Sequence, residues 1–313
     1  MGEQQHHADR ERAIVRMRRL AEERRPGDEL LASFLPAYYA ELPEFDIDDR
    51  DDDDLYAVAL AHLGVGRVRE RGRTIATVLS PDADRDGWHS DRSVVLIVTD
   101  DAPFLVDTVR MVLDRHGIII HLLVHPMLHV RRGAGNELAE VFSFGSDRYG
   151  ETVEAWTQVE IDRLDPTRAD AVAAEVADAV EAVHRVVADF AAMRERLRSL
   201  APLDPLLDWL AANQFVFLGA ATYDLGADGA TCRPDTVLGQ LTADSAIDPE
   251  IRAEGPTVAI TRSARIATVH RPARMTAVTV HTEDAHGRPV AERFVGLLAA
   301  TAYRDSVLDI PSV

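Results

Sequence analysis

Residues 93–131 read SVVLIVTDDAPFLVDTVRMVLDRHGIIIHLLVHPMLHVR, and the order of elements in this stretch decides the architecture. Ser93 to Thr99 is a continuous apolar run of strand length, as expected for a strand covered on both faces. Asp100 and Asp101 offer N-cap oxygens, and Pro103 suits a first helical turn. Leu105, Val109, Val112 and His116 recur at helical spacing, and Gly117 closes that helix. Ile118 to Val130 follows as a long strand bent at Pro126. The order is strand, short helix, strand, with Asp101 expected to cap the helix.

Upstream, helices are expected over 9–24, where Ile14, Met17 and Leu20 stand among many charges, and over 28–41 and 54–63. The acidic run Asp48 to Asp54 suits the N-terminus of the last of these. RTIATVL (73–79) alternates like a strand, and SPDADRDGWHS (80–90) reads as its connection to the next. Asp82, Asp84 and Asp86 echo a calcium loop, but the glycine comes one place late and the closing glutamate is missing.

Downstream, strands are expected at 138–144 and 152–161. Asp165–Pro166 then opens a long amphipathic helix, with Val172, Val176, Val183, Val187 and Phe190 in its apolar stripe. A shorter helix from Asp204–Pro205 ends near Asn213, and FVFLGAATY (215–223) is a strand. Residues 226–256 read as irregular. Strands follow at 257–261, 266–271, 275–282 and 290–299, the last pair joined at His286–Gly287. The fold class is α+β: antiparallel sheets with helices packed on one face. The expected organisation is an N-terminal helical segment (1–72), a first domain (73–200) and a second (203–313), incomplete at its C-terminus. The ending Asp309–Val313 looks like a cut within a longer polypeptide.

The chain has 313 residues, 46% hydrophobic and 28% charged, enough for about two globular domains. Its 34 basic and 53 acidic residues leave a net charge of −19. Such a chain repels phosphate backbones and anionic bilayers, so neither nucleic acid nor membrane is an expected partner. Every basic residue is arginine. With no lysine there is no Schiff-base amine, no phosphate-loop lysine and no lysine general base. The single Cys232 excludes an internal disulfide and a thiolate metal cluster and fits a reducing cytoplasm. The charged N-terminus lacks the apolar core of a secretory signal.

Site motifs are few. Gly64-Val-Gly66 resembles the start of a dinucleotide fingerprint, but Arg69 stands where the third glycine belongs and a helix precedes it, so it reads as a helix terminus. His121, His125 and His129 share one strand face with neighbours about 13 Å apart, too far for one zinc ion. Cys232 lies beside Arg233, whose charge can lower a thiol pKa. No nucleophile elbow is present. Catalytic, cofactor and metal residues are therefore expected to be absent from this chain.

Val98 to Ile119 (VTDDAPFLVDTVRMVLDRHGII) resembles the opening of an ACT domain, a βαββαβ module of ferredoxin-like type that binds amino acids in regulatory regions. Asp101, Pro103, Leu105 and Gly117 match its frame, while Phe104 replaces the turn glycine. TDDAPFLVD (99–107), RHGIIIHLLVHP (115–126), EAWTQVEID (154–162), LDWLAANQFVFLG (207–219) and ERFVGLLAATAY (292–303) are similar to the N-terminal region of the large bacterial NAD-specific glutamate dehydrogenases. SPDADRDGWHS and ATVHRPA (267–273) fit the same family.

The resemblance implies two ACT-like domains, 73–200 and 203–313, in a regulatory and assembly region of an enzyme that converts L-glutamate, NAD and water to 2-oxoglutarate, ammonium and NADH. Its catalytic domain would be absent from this chain, which alone would be inactive. NAD is implied for the full-length enzyme, not for these residues. The implied partners are the downstream catalytic domain, further copies of the chain and an amino-acid effector. The effector turn would be Thr99, Asp100, Asp101 and Phe104, with the helix N-terminus favouring a carboxylate and an aspartate pairing with the amino group. The alternative is a free-standing ACT-like amino-acid sensor. A hydrolase built on the histidine strand or Cys232 is disfavoured on geometry.

Overall fold

The computed structural model describes residues 2–40, 42, 50–86, 88–142, 152–227, 229–241, 251–252 and 255–303. The chain divides into two compact units. The first comprises Met1–Ala102 and Val112–Asp178, the second Pro103–Met111 and Ala179–Val313. Asp48, Asp49 and Asp309–Val313 lie outside the described residues.

The first unit begins with three helices, α1 (Gly2–Arg24), α2 (Glu29–Tyr39) and α3 (Asp52–Val65). Asp28 caps α2 by accepting from the Leu31 N–H at 3.0 Å. Asp51 caps α3 by accepting from the Asp53 N–H at 2.8 Å, and Asp52, Asp53 and Asp54 fill its first turn. Helix α1 is not merely a solvated surface: Met17, Leu20 and Ala21 are buried with Leu31, Phe34 and Tyr38 in one apolar core.

The sheet of this unit comprises β1 (Ile75–Leu79), β2 (Arg92–Asp100), β3 (Ile120–Val124), β4 (Met127–Arg132), β5 (Leu138–Phe142) and β6 (Thr152–Asp162). A four-residue helix, α4 (Ala83–Asp86), connects β1 to β2, so the aspartate-rich stretch serves as a strand connection. Helix α5 (Leu105–Arg115) follows β2, and α6 (Pro166–Ser199) follows β6.

Every pairing is antiparallel, in the order β1-β2-β6-β4-β5, with β3 also on β6. Strands β3 and β4 are the expected long strand, broken at Pro126, which has no N–H to donate; its carbonyl accepts instead from the Trp156 N–H at 3.0 Å. Both β2 and β3 run antiparallel to the β6 between them, so β2–α5–β3 is a split βαβ unit. In a βαββαβ module the last strand takes the edge beside β2; here β1, from upstream in the chain, holds it. The fold is α+β and ACT-like. Gly117, at φ +63°, ends α5 in the left-handed conformation that its lack of Cβ permits.

In the second unit, the C-terminal half of α6 and α7 (Pro205–Trp209) cover a second antiparallel sheet. Its strands are β7 (Phe215–Gly226), β8 (Gly229–Cys232), β9 (Leu238–Gly239), β10 (Val258–Ile266), β11 (Arg274–Glu283) and β12 (Pro289–Leu298). The order is β10-β11-β12-β7-β8, with β9 on β7. Met193, Leu197, Leu207, Phe217, Val278 and Phe294 form its core. Two expectations are corrected. The irregular stretch contains β8 and β9. The separate strands expected at 257–261 and 266–271 are one strand, irregular in register between Arg262 and Ile266, followed by a loop in which His270 takes φ +75°.

Gly66 caps the C-terminal end of α3, its N–H donating to the His62 carbonyl at 2.9 Å. The dinucleotide-like glycines are therefore a helix terminus. A Cβ at Gly66 would lie 2.2 Å from the Trp156 ring. The ring is fully buried, and its Nε1–H donates to Glu154 Oε2 at 3.0 Å. Gly66→Ala is expected to cost about 3 kcal/mol through overpacking. Gly64→Ala, which meets open space, is the matched control. Urea midpoints of the two variants check this, and equal midpoints would show that the indole yields.

His62 is buried between the Ile97 carbonyl, which lies 3.2 Å from Nε2, and the Tyr38 hydroxyl, 2.7 Å from Nδ1. Burial holds its pKa down at about 3, against a weaker upward pull from the Ile97 carbonyl. The unfolded imidazole takes up its proton near pH 6.5 and the folded one resists it. Stability is therefore full above that pH and is lost as the pH falls toward 3, by about 4 kcal/mol at the low end. Urea midpoints from pH 7 to pH 4 should fall more steeply for the wild type than for His62→Asn; parallel slopes would exclude this histidine as the cause.

Candidate functional site

The turn after β2 is the place to which the sequence points. Thr99 is buried, its hydroxyl 3.1 Å from that of Thr74. Asp100 accepts from Arg69 Nη2 at 2.5 Å and from the Gly72 N–H at 3.2 Å. Asp101 is exposed, and among the described residues only its backbone N–H is engaged, donating to the Val153 carbonyl at 3.3 Å. These three residues belong to the first unit and Phe104 to the second. Asp101 does not cap the helix. Helix α5 begins at Leu105, four residues on, and the Thr108 N–H is taken by the Phe104 carbonyl at 3.0 Å.

Arg69, the residue that breaks the dinucleotide pattern, is buried and bonds Glu154 Oε1 at 2.8 Å as well as Asp100. Glu154 is fully buried and takes Arg132 in a two-pronged contact of 2.7 and 2.9 Å. Burial pushes its carboxyl pKa up, but the bonds from Arg132 and Arg69 outweigh that and hold it below the usual range. Glu160, on the same face of β6, takes Arg50 at 2.9 and 2.8 Å and Arg92 at 2.7 Å, with the same net direction. Sequence reasoning passed over this row. Its signal was the period-two spacing of Glu154, Gln158 and Glu160 along β6.

The other candidates separate. His121 faces Asp162 at 2.9 Å and His125 faces Thr157 at 2.7 Å, so these two engage different groups. Cys232 lies on β8, and burial pushes its thiol pKa up rather than down, against a pull from Arg196. Arg233 does not activate it, since its guanidinium reaches Asp224 at 2.9 Å and Asp284 at 2.8 Å. No group of three potential metal ligands occurs among the described residues.

The second unit holds a cavity of about 330 Å3 lined by Phe104, Val187, Phe190, Asn213, Phe215 and Phe217, among others. Phe104 takes φ +71° and Asn213 φ +70°. His270, at φ +75°, stacks on Phe104 with ring centroids 4.5 Å apart. Asparagine enters this region at little cost, whereas phenylalanine does so against steric strain. Burial, with Arg271 adding to it, lowers the His270 pKa against Asp107. Phe104 and Asn213, both in the left-handed region, thus line one apolar cavity, and His270, likewise left-handed, packs on Phe104, the pattern of strain concentrated at a site. The backbone at position 104 keeps the conformation a glycine would adopt, while the ring fills the space.

The family model of the glutamate dehydrogenase ACT1 domain matches residues 34–176. Residues 34–176 are a glutamate dehydrogenase ACT1 domain. The ACT1 domain extends from within α2 through the sheet of the first unit and into α6. The NAD-specific glutamate dehydrogenase of Halomonas elongata is 29% identical over 89% of this chain and 20% of its own length. That of Pseudomonas aeruginosa is 32% identical over 78% of this chain and 17% of its own length. That of Mycobacterium tuberculosis is 25% identical over 81% and 16%. The chain therefore spans a fifth or less of the length of these relatives. No helix among the described residues is long and apolar enough to cross a membrane.

Strain at the entrance to α5 separates from packing in a pair of variants. Phe104→Ala removes the ring and keeps the left-handed strain; Phe104→Gly removes both. The glycine variant should be more stable than the alanine variant by about 1 kcal/mol. Equal urea midpoints would show that position 104 carries no strain.

Proposed function

We propose that this chain is the regulatory and assembly region of an NAD-dependent glutamate dehydrogenase, acting in the cytoplasm on a catalytic domain of the same polypeptide. The ACT1 match carries the reading. The absence of lysine supports it, because amino-acid dehydrogenation relies on lysines to bind the substrate carboxylate and serve as base. At the β2–α5 turn, Asp100 is held by Arg69 in a structural ion pair. Asp101, with its carboxylate exposed, is the group that would meet the ammonium of an amino-acid effector. For assembly, β10 is an outer strand of its sheet and exposes Ile260 and Ile266, an edge suited to pairing with a second copy.

The purified chain, supplied with L-glutamate and NAD, should form no NADH; formation that persists after contaminating enzyme is removed overturns the reading. Calorimetry with the amino acids on wild type and Asp101→Asn tests the effector, and binding should weaken about tenfold in the variant. Sedimentation of wild type and Ile260→Arg tests assembly, which the substitution should abolish. A monomer that binds no amino acid would leave neither role standing.

A further inference from the structure

The cavity of about 330 Å3 in the second unit is walled by aromatic rings. Phe190 comes from α6, Phe215 and Phe217 from β7, and Phe104 from the turn before α5. Phe217 meets Phe215 edge-on, with centroids 5.1 Å apart and planes at 84°, and meets Phe190 at 5.9 Å and 77°. Ring planes near right angles offer a further ring both a face to stack on and an edge to meet. Phe215 and Phe217 are buried, whereas Phe104, Val187 and Phe190 are only half-buried, so the hollow is open on one side.

The mouth is backbone that other elements hold in place. Asn213 takes φ +70° between α7 and β7, and its carbonyl accepts from the Thr301 hydroxyl at 3.2 Å. The next carbonyl, that of Gln214, accepts from the Ala299 N–H at 2.9 Å. On the other side, the Phe104 carbonyl takes the Thr108 N–H at 3.0 Å, and His270 packs on the Phe104 ring. Apart from Asn213, the described residues of the lining are all apolar, and none is charged. The Asn213 carboxamide is exposed and makes no hydrogen bond among the described residues.

We propose that this cavity binds a neutral aromatic molecule of one or two fused rings, with one polar atom directed to the Asn213 carboxamide. Its volume lies at the lower end of the range for small-molecule sites, and rings from three elements suit a flat apolar ligand. A carboxylate or ammonium would find no opposite charge in the described lining to replace its water, so the cavity selects against charged ligands. This sets it apart from the β2–α5 turn, where a zwitterionic effector would meet Asp101. The site does not rest on a role in glutamate dehydrogenation.

Calorimetry on the whole chain tests it with indole, and with L-tryptophan as the zwitterion bearing the same ring. Indole should bind with a Kd below about 1 mM, and tryptophan about tenfold more weakly or worse at this site. Val187→Phe puts a ring into the cavity from a half-buried position on α6. It should weaken indole by about tenfold or more while the melting temperature holds or rises. Nuclear Overhauser contacts between indole protons and the Val187 methyls should appear in the wild type, which locates the ligand without any variant; binding without them places indole elsewhere and overturns the proposal. No heat from indole, or equal affinity in wild type and Val187→Phe, also overturns it. So does tryptophan binding as tightly as indole with the same sensitivity to the variant. Self-association that Val187→Phe abolishes would make a second copy the occupant and overturn it too. Asp101→Asn should leave indole binding unchanged, so this site and the turn fail independently.

Discussion

The first unit is organised by one buried carboxylate. Glu154 sits on the central strand β6, fully buried, with guanidinium groups from Arg69 and Arg132 and the indole N–H of Trp156 on its two oxygens. Desolvating a carboxylate costs several kcal/mol unless its partners are close and well aligned, so such a cluster is weak evidence for stability. What it fixes is position. Arg69 comes from the segment after α3, Arg132 from the end of β4, and Trp156 lies against Gly66. Shifting β6 by one residue would put Glu154 on the other face and take it away from both Arg69 and Arg132.

That constraint also explains the turn after β2. Asp100 shares Arg69 with Glu154, so the end of β2 is tied to the sheet's charge cluster. A residue in that position on an ACT-like module could face a ligand; here it completes the structural network. The chemistry open to the turn is left to Asp101. The first residue of the second unit's share of the turn to depart from ordinary backbone geometry is Phe104, one step before α5.

The elements legible in the sequence are those whose signals are local. The apolar run of β2, the spacing of α5, the Asp165–Pro166 and Asp204–Pro205 helix starts and the His286–Gly287 hairpin all depend on residues within a few positions of one another. Glu154 was not legible as a site because its partners are 85 and 22 positions away. The left-handed backbone at Phe104 and His270 was hidden for a different reason. Glycine and asparagine advertise that conformation, while phenylalanine and histidine seldom adopt it. Strand β10 was split in two because its register breaks between Arg262 and Ile266, where the pattern of side chains resembles a strand end.

With no lysine in the sequence, the chain builds its buried ion pairs on arginine. On β6 the guanidinium groups of Arg50, Arg69, Arg92 and Arg132 converge on Glu154 and Glu160, and the carboxyl pKa values fall in spite of burial. Those carboxylates remain charged through the neutral range, so the pairs act as fixed structure and not as switches. A lysine could leave such a place through its flexible stem or shed its proton. Arginine does neither readily, since its planar fork stays charged and its geometry favours a two-oxygen partner.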